Sequence, residues 1–190
     1  LKGLTINNTS SEASGLFGYL KGAKVCNFTL KDVKVNSDYV FSGSVAGKVE
    51  NSVIENVKVN GEFRAYKSGI TVDAEASTYA PVSSGNAGYN GGLVGLCCTS
   101  TVKNCSYEGT VTIYGKFSGL IGVTYNSTVE NCSVAKGSIV HIYYHYTGGL
   151  IGRAIGADNV IKGCSFEGNL ASTGYCNGGI VGQLLGGKVT

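Results

Sequence analysis

One short glycine string recurs through the chain, and it limits the folds open to it. The string reads GLFG at 15–18, GSVAG at 43–47, GLVG at 92–95, GLIG at 119–122 and 149–152, and GIVG at 179–182. The second copy reads as one residue longer, with Ser44 in place of leucine and Ala46 as the extra residue. Starts differ by 28, 49, 27, 30 and 30 residues, so the long interval holds one repeat plus an insertion of about twenty residues, placed at 61–91. A unit of this length is one supersecondary element, which cannot bury an apolar face alone and must stack on its neighbours.

A second motif follows the first at a fixed offset. Val25, Ile54, Val102, Val129 and Val189 lie seven residues after the closing glycine, and Ile161 lies nine after Gly152. From these positions the chain reads VCNFTL, IENVKV, VKNCSY, VENCSV and IKGCSF, and the opening LKGLTI fits the same frame. Alternation with period two marks a strand, yet the Asn or Gly breaks the phase, because the first and fourth residues cannot both face inward along one straight strand. A corner at Asn27, Asn56, Asn104 and Asn131, with Gly3 and Gly163 substituting, resolves the conflict, since these residue types tolerate a left-handed backbone.

Short strands joined by corners and repeating every 27 to 30 residues predict an all-β fold: a parallel, right-handed β-helix solenoid of about six turns with one insertion loop. Stacking turns each repeat position into a column. Leu4, Phe28, Val57, Cys105, Cys132 and Cys164 form an inward column, in which cysteine acts as a small hydrophobe and remains a free thiol, because parallel side chains are poorly aimed for a disulfide. Asn27, Asn56, Asn104 and Asn131 form an amide ladder along the rod. Lys2, Cys26, Glu55, Lys103, Glu130 and Lys162 form an outward column whose last members alternate in sign.

Composition narrows the function. Thirty glycines stand against one proline, and a net charge of +3 is spread over single lysines and arginines, so no nucleic-acid footprint is expected. No stretch is long and apolar enough to enter a membrane, and LKGLTINN lacks a signal-peptide pattern. A chain starting without Met and both starting and ending inside a repeat is expected to be a single-domain piece, 1–190, of a larger polypeptide that supplies further domains.

The GGLVG string followed by V-x-N-C resembles the GLUG-motif repeat family of bacterial secreted and cell-surface proteins, which includes adhesins and non-catalytic parts of immunoglobulin-A proteases. The resemblance covers residues 15–189 and is closest at the copies starting at Gly92, Gly119 and Gly149. It implies an extracellular or surface-attached β-helix and does not imply an enzyme; the expectation is a segment serving in adhesion or as a rigid spacer, with a host protein or glycan as partner and no catalytic residue or cofactor.

The remaining chemistry is sparse. GLVG lacks the Lys-Ser or Lys-Thr of a phosphate loop and the Asp of a calcium-binding β-roll. His141 and His145, four apart on a strand, sit about 13 Å from one another and cannot share a zinc ion. Asp32, Asp38, Asp73, Glu75, Glu108, Asp158 and Glu167 are scattered; Glu108 and Glu167 share a repeat position two turns apart, with Lys136 nearest to it between them. A polysaccharide lyase or glycosidase is the alternative, because β-helices host both. Cys97 and Cys98 are expected to split, one inward and one to solvent, with Cys176 placed to approach Cys98 across turns. Tyr66, Tyr79 and Tyr89 around the insertion, with Tyr143, Tyr144 and Tyr146, make the candidate ligand-binding surface, as tyrosine supplies contact area at small entropic cost.

Overall fold

A computed structural model describes residues 1–9, 13–38, 40–66, 88–114, 117–143 and 145–190, the side chains of Tyr66, Phe117 and Ser118 excepted. The fold is a parallel β-solenoid of about five turns, with no helix among the described residues. Among the described residues every strand pairing is parallel, and the strands fall into a sheet of 12 and a sheet of 10. The glycine strings build the smaller sheet, and the two runs flanking each Asn corner build the larger one.

Corners appear where the sequence places them. Asn27, Asn56, Asn104 and Asn131 have φ between 51° and 61°, and Gly163 has φ 59°. In front of each corner, Val25, Ile54, Val102, Val129, Ile161 and Val189 stack in continuous register. From Ile54 to Ile161 these side chains are no more than 1% exposed, and each contributes about 1.5–3 kcal/mol by leaving water. A further corner precedes the column and was missed from sequence: Gly22, Asn51, Thr99, Asn126 and Gly156, each four residues after a closing glycine, all have positive φ. The two-residue surplus before Ile161 is spent here, because Asn159 takes the place that Ser127 holds in the turn below.

The opening residues are out of the expected frame. Lys2 bridges to Lys31, and Thr5–Asn8 pairs residue by residue with Lys34 to Ser37. Leu4 therefore stands beside Val33 rather than Phe28, Gly3 beside Asp32 rather than Asn27, and Lys2 away from Cys26. The pattern apolar-polar-turn-apolar-polar-apolar occurs twice in this turn, in VCNFTL and again in LKDVKV, where Asp32 has φ 53°. The second copy is the true partner of LKGLTI. The second glycine string also needs correction: Ser44 lies beside Gly92, Val45 beside Leu93 and Ala46 beside Val94. Ala46 is not an extra residue; Ser44 stands where other turns carry a second glycine, and the turns beginning at Gly15 and Gly119 are one residue shorter.

At Gly47, Gly95, Gly122 and Gly182 the closing glycine of the string is there for close approach. A Cβ on Gly95 would lie 2.5 Å from the Tyr89 carbonyl oxygen and 2.6 Å from that of Gly47, closer than real carbon–oxygen contacts. The larger sheet bends in a similar way at Gly61 (φ 153°) and Gly109 (φ 136°), where a side chain at 109 would overlap the Gly61 carbonyl. Tyr107, buried beneath, holds its hydroxyl 3.1 Å from the Gly61 carbonyl and 3.2 Å from the Thr110 carbonyl, which fixes the bend.

The core fills the solenoid from Leu20 to Ile161, and a second cluster of Val40, Phe41, Tyr89, Leu96, Cys98 and Val123 lies apart from it. The long strand before the insertion, Val53–Tyr66, and the one after it, Tyr89–Cys98, are both regular. Residues 61–66 and 89–91, inside the expected insertion, thus belong to the solenoid wall, and 67–87 lie outside the described residues.

Candidate functional site

Three ladders run along the rod axis, over three to five turns each. The amide ladder is continuous: Asn56 donates to Asn27 at 2.8 Å, Asn104 to Asn56 at 3.1 Å and Asn131 to Asn104 at 3.3 Å. A buried hydroxyl ladder was missed from sequence. The N–H of Ala23 donates to Ser52 Oγ, that of Ser52 to Ser100 Oγ, that of Ser100 to Ser127 Oγ, and that of Ser127 to Asn159 Oδ1, all at 3.0–3.1 Å. Each serine hydroxyl in turn donates to the carbonyl two residues before it. The serine hydroxyls are consumed by the fold, and the amides are tied to one another along the rod.

The thiol ladder is hydrogen-bonded in the same manner. All seven cysteines are free. Cys105 and Cys132 are fully buried, and each donates to the carbonyl two residues earlier, Lys103 at 3.1 Å and Glu130 at 3.3 Å. Hydrogen bonds with the thiols of Cys105 and Cys164 hold Cys132 protonated, far above the usual thiol range. Cys97 sits in the main core, and burial pushes its thiol up to about 12. Cys98 does not face solvent but packs in the second cluster, with its strand neighbours Glu50 and Tyr125. Cys176 is exposed and adjoins the Thr147 amide, in another column, so it does not approach Cys98.

The outward charge column behaves as an ionic brace. Glu55 bridges Lys24 and Lys103 at 3.2 Å each, and Lys162 meets Glu130 at 3.1 Å. Lys2 pairs instead with Asp32 at 3.7 Å. On the glycine-string sheet, Glu50 collects the Tyr19 hydroxyl at 2.5 Å, Lys21 at 3.2 Å and Lys48 at 3.8 Å, with the Lys48 ammonium 4.8 Å above the Tyr19 ring.

The tyrosines divide. Tyr143 is exposed and stacks face to face on Tyr114, centroids 4.3 Å apart and planes 2° apart. Tyr89 is a correction: it is 9% exposed and stacks on Phe41 at 5.3 Å in the second cluster, so it supports the wall rather than presenting a surface. Tyr146 is half-buried, with φ 58° and the Arg153 guanidinium 5.4 Å from its ring. The backbone of Tyr66 pairs with Tyr114, which places it on the same column. Tyr79 and Tyr144 lie outside the described residues, as do Asp73, Glu75 and Pro81. Sequence reasoning missed Tyr114 and Tyr175. Tyr114 was recoverable, because it ends a strand one repeat before Tyr143; Tyr175 is 72% exposed and stacks on His145 at 4.0 Å.

His141 points outward beside Tyr143, with ring centroids 6.4 Å apart, while His145 Nδ1 accepts the Tyr175 N–H at 3.2 Å, so the two histidines serve separate neighbours. Among the described residues, no three His, Cys, Asp or Glu side chains converge as a metal site. Glu108 and Glu167 do fall in one column, but Ala135, not Lys136, stands between them, as the amides of Ala135 and Glu167 bond to Tyr107 and Val134.

No protein-family model, no curated protein and no solved structure matches this chain.

Proposed function

We propose that the chain is a non-catalytic β-helical segment of a bacterial secreted or cell-surface protein, acting as an adhesive rod or rigid spacer that meets a host protein or glycan on its outer face. The observation behind this is the Tyr114–Tyr143 stack: two rings, 42% and 43% exposed, held outward on a wall whose amide and hydroxyl ladders are internally paired. Exposed aromatic rings on a rigid frame lose little entropy on binding and give a partner large contact area. The GLUG-like spacing of the glycine strings and V-x-N-C supports a surface location.

The test is a glycan and host-protein array read beside assays for released reducing ends and unsaturated products. Binding without turnover supports an adhesive rod, and a loss of at least tenfold in Tyr143→Ala assigns that binding to the tyrosine stack; binding to no probe reduces the segment to a spacer. One observation favours a polysaccharide-active enzyme instead. Glu108 and Glu167 are two rungs apart in one column, about 10 Å between backbones, near the separation that inverting glycosidases use. Turnover abolished by Glu108→Gln would establish that alternative.

A further inference from the structure

The bend in the larger sheet creates a surface feature that none of the ladders uses. On its outer side lies an open furrow of about 430 Å³, within the range of small-ligand clefts. Thr29 and Lys31 line it on the first turn, Lys58 and Asn60 on the second, Ser106 and Glu108 on the third, and Ala135 closes it on the fourth. The register Thr29, Lys58, Ser106 and the register Asn60, Glu108 form its two flanks, so it runs parallel to the rod axis across four rungs, about 14 Å.

We propose that this furrow is a binding site for a neutral polysaccharide, seated as an extended chain along the axis. The proposal rests on the reading of the rod as a binding segment and adds a ligand class and a place. Hydrogen-bonding chemistry selects the ligand. The Lys31 and Lys58 ammonium groups donate, the Glu108 carboxylate accepts, and Thr29, Ser106 and Asn60 do both, which suits hydroxyls that donate and accept from adjacent carbons. The Glu108 carboxylate on one flank argues against a polyanion, while Asp32 is taken by Lys2. Geometry argues against a peptide. A peptide strand adds at a sheet edge, and here the backbone is already paired rung to rung; a peptide anchored by side chains needs apolar pockets, and the apolar liners among the described residues, Val59 and Ala135, offer none.

The experiment uses the intact chain. Soluble mannan, dextran and mixed-linkage β-glucan, with alginate and polygalacturonate as anionic probes, are run in affinity gels against the wild type and the variants Asn60→Ala, Glu108→Ala, Lys58→Ala and Tyr143→Ala. Folding of each variant is checked by its far-ultraviolet spectrum. The expected result is retardation by at least one neutral probe, lost tenfold or more in Asn60→Ala and Glu108→Ala. The opposite pattern, loss in Tyr143→Ala with the furrow variants unaffected, overturns the furrow and leaves the adhesive rod standing. Retardation by alginate or polygalacturonate alone overturns the neutral ligand, and retardation by no probe overturns the site.

Discussion

The N–H of Ser100 donates to Ser127 Oγ at 3.1 Å while the hydroxyl of Ser100 accepts the N–H of Ser52 at 3.0 Å. Both serines are at most 5% exposed, so neither bond can be replaced by bulk water. Ser100→Ala strips the partner from the buried Ser52 amide. Urea unfolding should show a loss of about 1–3 kcal/mol, and a change under about 0.5 kcal/mol would mean the ladder carries no weight.

Thr99 holds φ 43°, a left-handed conformation that β-branched residues rarely adopt, at a corner where Asn51 and Asn126 occupy neighbouring turns. Its hydroxyl donates to Asn51 Oδ1 at 2.7 Å, a bond that an Asn amide can also make. Thr99→Asn should therefore raise stability by about 1 kcal/mol, seen as a higher denaturation midpoint at unchanged slope.

The Tyr19–Glu50 pair gives the surface two pH limits. The Tyr19 hydroxyl, then Lys21, holds the Glu50 carboxyl below its ordinary value, so its contribution is present above that value and fades as pH falls through the depressed one. The same hydrogen bond, then burial, pushes the Tyr19 phenol up to about 12, so its contribution is complete below pH 10 and is lost as pH climbs to about 12. Tyr19→Phe should move the Glu50 carboxyl titration, followed by carbon-13 NMR, toward higher pH. No movement would show that the two groups do not interact in solution.

Thiol labelling should follow burial. Cys176, exposed, reacts first with an aromatic disulfide reagent; Cys26 and Cys164, half-buried, follow; and Cys97, Cys98, Cys105 and Cys132 react only on unfolding. The Cys164 rate should rise through about pH 7, where the hydrogen bond with Cys132 brings its thiol. Prompt labelling of Cys132 would contradict the packed column.

Much of the architecture was readable, and the failures have physical causes. Asn27, Asn56, Asn104 and Asn131 declared themselves because a left-handed corner needs a residue that tolerates it, and few residues do. The corner at Thr99 did not, since threonine is among the least suited to that backbone, and the tertiary ladder overrides its preference. Leu4 was misplaced because one turn contains the hexapeptide pattern twice, and a pattern of period two cannot tell neighbouring copies apart. Ser52, Ser100 and Ser127 look like surface residues in sequence; only stacking reveals that each caps an amide of the turn before. Of the candidate surface, Tyr143 was found by its position in an aromatic run. Tyr89 was misjudged because nothing local to it reveals the ring of Phe41, a full turn away.

The backbone hydrogen bonds between rungs all lie along the rod axis, and this sets its mechanics. Pressed end to end, the stack is loaded through its packed columns; pulled end to end, it presents its bonds in series, so force reaches them one rung at a time. Each rung that opens releases roughly 100 Å of slack chain where it had occupied about 5 Å. Such a shaft is a strut under compression and a shock absorber under tension.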